Sequence, residues 1–149
     1  MLAAMRAERM AARVDGLNDE ARSDAHLAAA AWACEMTSLE FAAEQMPDRQ
    51  IEWADFDRIL DDMPAALRRA ADHFGFAADD AQLQSLANGP LMARYSKALE
   101  YEYSPSLRRE LIDEATRSNR ADIESALAML RSAAEKSPLL ARAIRRAEG

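Results

Sequence analysis

Two cations, a hydroxyl and an aromatic ring fall together in Met92-Ala93-Arg94-Tyr95-Ser96-Lys97, on a stretch without regular periodicity. The Arg94 guanidinium, the Ser96 hydroxyl and the Lys97 ammonium are groups that can hold a phosphate or sulfate through charge-assisted hydrogen bonds. Such sites are commonly carried on loops. The same residues also fit a solvated loop with Tyr95 turned inward, and Glu100, Tyr101 and Tyr103 can serve to anchor that loop to a core.

Other chemistry-bearing residues are better explained by structure. His26 and His73 have no carboxylate, thiol or second imidazole at a ligand interval, so no metal site is read from them. His26 is expected in a solvated first turn, and His73 beside Phe74 near a helix end. Cys34 is the only cysteine; it lies between Trp32 and Glu35 with no neighbouring cation to stabilise a thiolate, and is read as a small core residue. Asp61-Asp62 and Asp79-Asp80 are adjacent pairs whose members point apart on a helix, which suits capping and solvation better than acid-base work.

The elements that must position these residues are helices. Four glycines and five prolines in 149 residues, amid abundant alanine, leucine, arginine and glutamate, predict a mainly α fold, a helical bundle forming one domain over residues 1–149. A first helix is expected over residues 1–14, with Leu2, Met5, Arg9 and Ala12 at helical spacing and Gly16 to end it. Asp24 can cap a longer helix with Ala25, Ala29, Trp32, Met36, Leu39, Ala43 and Met46 on one face and Pro47 as the stop. Residues 50–56 alternate Ile51 and Trp53 against Glu52 and Ala54, which predicts one short strand. A lone strand leaves two edges of backbone groups unpaired, so it demands a partner strand from elsewhere.

Further along, residues 56–62 read as a short helical turn. Pro64 opens a helix through Phe74, with Leu67, Ala70, Ala71 and Phe74 on one face and Gly75 closing it. Asp79 or Asp80 caps a helix over Leu83 and Leu86 before Asn88-Gly89-Pro90 breaks the chain. Ser104-Pro105 starts a helix with Leu107, Leu111 and Ala115 as its apolar face. Asn119, with Asp122 three residues on, opens one with Ile123, Leu127, Leu130 and Ala134. Ser137-Pro138 opens the last, which runs to Arg145-Arg146.

A net charge of −7 argues against broad, non-specific nucleic-acid binding as a function class, while leaving room for local basic spots. A single cysteine excludes an intramolecular disulfide. Arg6, Glu8, Arg9 and Arg13 interrupt any apolar run at the start, so neither a signal peptide nor a membrane span is read there, and a cytoplasmic location is the expectation.

The order of several segments resembles a bacterial sulfotransferase family, enzymes that take sulfate from the donor PAPS. The resembling residues are A-A-A-W-A-C-E-M-T-S-L-E from Ala29, W-A-D-F-D-R-I-L from Trp53, D-H-F-G-F from Asp72, G-P-L-M-A-R-Y-S-K-A-L-E-Y-E-Y-S-P from Gly89, and R-A-D-I-E-S-A-L-A-M-L from Arg120. The resemblance implies the C-terminal part of an α/β, P-loop-like sulfotransferase fold, with residues 51–55 as a late strand of a sheet carried by an N-terminal part outside this chain. It implies PAPS as the donor in the complete protein. The glycine-rich loop that would cradle the donor's phosphosulfate is not in this sequence, and Arg94, Tyr95, Ser96 and Lys97 stand where a last donor-proximal loop would be. Where the family leads one to expect a proline and a histidine, this chain has Leu99 and Tyr101, and no catalytic base is assigned.

Two functions follow. One is a sulfotransferase-like fragment that depends on the missing N-terminal part; the other is a free-standing helical module for homo-oligomerisation or protein interaction. On either reading this chain alone does not bind PAPS, because the backbone cradle for the anion is missing. Calorimetric titration checks this; micromolar affinity would show that the phosphate site lies in these 149 residues after all.

Overall fold

The computed structural model describes residues 23–93 and 103–148. The helix expected over residues 1–14 and the segment Arg94, Tyr95, Ser96, Lys97 lie outside the described residues. The described chain is mainly helical, and its fold divides into two compact units: Met1–Gln50 with Thr116–Gly149, and Ile51–Ala115.

In the first unit α1 (Asp24–Glu44), α6 (Arg120–Ala134) and α7 (Pro138–Glu148) each pack against the other two. Their common core is made of small residues: Ala30, Ala33 and Cys34 from α1 and Ala133 from α6, closed by Leu130 and Leu140. Side chains this small let helix axes approach to the short end of the usual range, about 8 Å. The phase of α1 therefore differs from the expected stripe. Its buried positions are Ala30, Ala33, Cys34, Thr37 and Glu40, whereas Leu39 is 52% exposed and Trp32 and Met36 flank the seam half-buried. Cys34 is a buried core residue, as expected.

The α1 start also departs from expectation. Asp24 is the first helical residue rather than the cap, and Ser23 at the cap position turns its hydroxyl to His26 Nδ1 (3.0 Å) instead of a backbone N–H. Asn119 likewise occupies the α6 cap position without a side-chain capping bond. The α7 start follows the serine-proline signal, with the Leu140 N–H donating to Ser137 Oγ at 3.3 Å.

One charged group lies in this interior. Glu40 is 2% exposed, and α7 reaches it with two arginines one turn apart. Arg146 Nε donates to Oε1 at 2.6 Å, and Arg142 Nε stands 2.9 Å from Oε2 while its terminal nitrogen pairs with Glu44. The Arg146 hydrogen bond, against the opposing effect of burial and with the field of both guanidinium groups, holds the Glu40 carboxyl below the usual carboxylate range.

The second unit contains α2 (Phe56–Asp61), α3 (Met63–Phe74), α4 (Asp80–Ala87), a 3-10 turn (Pro90–Ala93) and α5 (Pro105–Ser118) as far as Ala115. The starts of α2, α3 and α4 are aspartate caps. Asp55 accepts from the Arg58 N–H (2.8 Å), Asp62 from the Ala65 N–H (3.0 Å), and Asp79 exchanges side-chain and backbone bonds with Gln82 in a capping box. Gly75 ends α3 at φ 69°, a left-handed conformation that glycine adopts without Cβ strain. Arg68 ties α3 to the start of α4 by bonding the Ala78 carbonyl and the Asp80 carboxylate.

The strand expected over residues 50–56 is not formed; no strand occurs among the described residues. Asp55 does have extended backbone, at φ −82° and ψ 127°, but that is the conformation of an N-cap, and Phe56 passes directly into α2. Without a neighbouring backbone to pair with, the local β preference of Ile51 and Trp53 yields a connector rather than a strand.

The apolar face expected on α5 is formed but not buried: Leu107 and Leu111 remain exposed, Leu111 at 63%. Arg108 pairs with Asp57 and lies 5.2 Å over the Phe56 ring, and Arg109 approaches Asp61 at 3.5 Å, so charge tethers α5 to α2.

The buried carboxylate is the interaction most open to test. Replacing Arg146 with alanine removes a charge-assisted bond worth, after allowance for the partial exposure of the guanidinium, about 1.5 kcal/mol. Because the folded Glu40 pKa is depressed, its contribution is present above the unfolded value of about 4.3 and is lost as the pH falls through the folded one. Urea titrations of wild type and Arg146→Ala should therefore differ at neutral pH and converge in acid. A constant difference across that range would show that Glu40 is not the partner that matters.

Candidate functional site

The connector before α2 and the length of α3 together enclose an open groove of about 640 Å³ in the second unit. One stripe of α3 supplies its floor, because Met63, Leu67, Ala70 and Phe74 recur three and four residues apart. Trp53, half-buried, forms a wall with Ile59. Arg58, Arg69 and His73 bring positive or titratable groups to the lining, and Glu52 and Asp55 bring negative ones.

Aromatic rings extend one end of the groove. The His73 and Phe74 rings meet edge to face at 5.0 Å, and Phe74 and Phe76 lie 6.0 Å apart. Phe74 and Phe76 are nevertheless 67% and 69% exposed. The α3 face expected to bury Phe74 thus buries only Ala71 fully. Gly75 is the physical reason: its left-handed turn ends the helix beside Phe74, so the two phenylalanines sit on the rim of the element instead of within it.

The lining of this groove is chemically mixed. Its side chains offer apolar and aromatic surface with charges of both signs, and no nucleophile lies beside a base among the groove residues. Among the described residues no group of histidine, cysteine and carboxylate side chains is placed to hold a metal ion. No helix among them is long and apolar enough to cross a membrane.

The expected anion-binding residues Arg94, Tyr95, Ser96 and Lys97 lie outside the described residues. Tyr103, which follows them, is half-buried, and its hydroxyl has no hydrogen-bond partner among the described residues. His26, expected in solvent, is half-buried and engaged: besides Ser23 it meets Ser125 Oγ through Nε2 at 3.3 Å, linking α1 to α6. His73 is half-buried beside Phe74, as its position suggested.

Trp53 and Arg69 are the groove residues that sequence reasoning did not bring together. The spacing along α3 was visible, but assigning Trp53 to a strand removed the element that faces it. No family model, curated protein or solved structure matches this chain. The functional reading accordingly rests on the residues and their geometry.

Proposed function

We propose that this chain is a helical interaction module that pairs with a second copy of itself through the groove of its second unit. The observation that carries the reading is the exposure of Phe74 and Phe76 beside a groove walled by Trp53, in a unit whose fully buried apolar residues among those described are Ala71 and Leu83. A unit of this size that buries so little gains stability by covering apolar surface with another chain.

A second copy fits the charge pattern. An isologous interface must be complementary to itself, and the groove offers Glu52 and Asp55 together with Arg58 and Arg69. The two phenylalanines alone present on the order of 200 Å². The groove walls add to this toward the roughly 800 Å² per partner of a stable dimer. A charge of −7 per copy opposes association at long range, so added salt should strengthen pairing.

The sulfotransferase-like fragment is the alternative reading. In it the same surface would be covered by a donor-binding part, and sulfate transfer from PAPS would belong to the complete assembly. Sedimentation velocity distinguishes the two. The self-pairing module should be dimeric at micromolar concentration and more so at high salt. Trp53→Lys and Phe76→Asp should each shift it to monomer with unchanged helical circular dichroism. A wild-type chain that stays monomeric throughout the micromolar range overturns the self-pairing reading.

A further inference from the structure

Besides His73, the charged side chains that line the groove of the second unit are Glu52, Asp55, Arg58 and Arg69, and they differ in what they already hold. Asp55 caps α2 by accepting the Arg58 N–H at 2.8 Å, and Arg58 is itself engaged. The remaining two, Glu52 and Arg69, are opposite in sign and both exposed. Neither forms an ion pair among the described residues. Arg68, the neighbour of Arg69 on α3, provides the contrast: it bonds the Ala78 carbonyl and the Asp80 carboxylate within the unit, whereas Arg69 lines the groove. Consecutive positions on a helix point in different directions, so one arginine serves the unit's own contacts and the other does not.

From this we infer that Glu52 and Arg69 select a second copy as the partner, Glu52 of each copy meeting Arg69 of the other. The inference rests on the self-pairing reading and names the charges that make it specific. Glu52 belongs to the connector and Arg69 to α3, the two elements that enclose the groove. A two-fold axis through the groove lays the connector of one copy over α3 of the other, and the second connector over the first α3. One acid and one base on the two walls then give two identical ion pairs.

These pairs act on the choice of partner more than on affinity. A solvated ion pair at the edge of an interface contributes little, whereas like charges forced together there cost far more. That asymmetry rejects chains that lack the matching pattern. A partner surface of uniform charge satisfies one of the two residues and repels the other. A chain carrying an acid and a base in the same disposition satisfies both, and a second copy does so by symmetry. Phe74 and Phe76 supply apolar surface that any partner would cover, so they cannot make this distinction.

Sedimentation velocity on the full chain and on charge-reversed variants tests the inference. Glu52→Arg and Arg69→Glu should each weaken self-pairing at least about tenfold, because each sets like charges against one another twice per pair. Glu52→Arg makes the chain less negative, so overall repulsion falls and cannot cause its weakening. Mixed in equal amounts at a concentration where each alone is monomeric, the two variants should pair with one another, since the two reversed residues then face each other and the two native ones do likewise. Both reversals in one chain should restore self-pairing. A wild-type chain that is monomeric throughout the micromolar range overturns the self-pairing reading and this inference with it. A wild type that pairs, with single reversals that pair as well as it does, overturns the inference alone. So does weakening that the mixture fails to reverse.

Discussion

A carboxylate removed from water must be paired, and in this protein that requirement determines where α7 lies. Glu40 belongs to the buried side of α1, and the two arginines that reach it are four residues apart on α7. A four-residue step repeats on nearly the same helical face. For Arg142 and Arg146 to meet one carboxylate, α7 must therefore present that face to α1 at a single register. Leu140 and Ala143 are then carried into full burial. Small apolar side chains would tolerate several sliding positions, since alanine against alanine is nearly featureless. The clasp removes that freedom. Its energy is modest because both guanidinium groups keep contact with solvent, so its contribution is to register more than to stability.

Each unit is held together by its own means. In the first, apolar burial and one buried carboxylate clasped by two arginines act on the same helices. In the second, local devices dominate: three aspartate caps, a left-handed glycine, and ion pairs from Arg68, Arg108 and Arg109 to exposed carboxylates. Such devices define helix ends and tether neighbours, but each contributes around 1 kcal/mol or less at a solvated surface. They make helices without making a core. Large apolar side chains on α3, α4 and α5, among them Phe74, Leu86 and Leu111, are accordingly left at the surface.

What could be read from the sequence follows the same division. Helix boundaries depend on a residue and its near neighbours, so Asp79, Ser104-Pro105, Ser137-Pro138 and Gly75 announced the elements they start or stop. Which face of a helix is buried depends on the partner. In α1 nearly every position between Ala25 and Ala33 is apolar, so no stripe stands out by composition, and the largest side chains are a poor guide where the partner demands close approach. Glu40 could not be recognised as interior before Arg142 and Arg146 were known to face it. Residues 50–56 failed for a related reason: strand character requires a neighbouring backbone, and the cap supplied by Asp55 engaged the segment's end instead. The groove was lost with that misassignment, because Trp53 was placed on the wrong kind of element.

Alanine explains why the exposed surfaces belong together with the mainly helical fold. It is the best helix former, yet burying its methyl group yields only about 0.8 kcal/mol, against roughly 1.5 to 3 for a large aliphatic or aromatic side chain. A chain that builds its interior from Ala30, Ala33, Ala126, Ala133 and Ala143 forms helices readily and gains little from packing them. The larger contributions reside in Trp53, Phe74, Phe76 and Leu111, all outside the fully buried set. Those residues realise their stabilising potential only when something covers them. Under the proposed self-pairing, covering these residues couples association to folding, and the groove flanked by phenylalanines is where that coupling would be strongest.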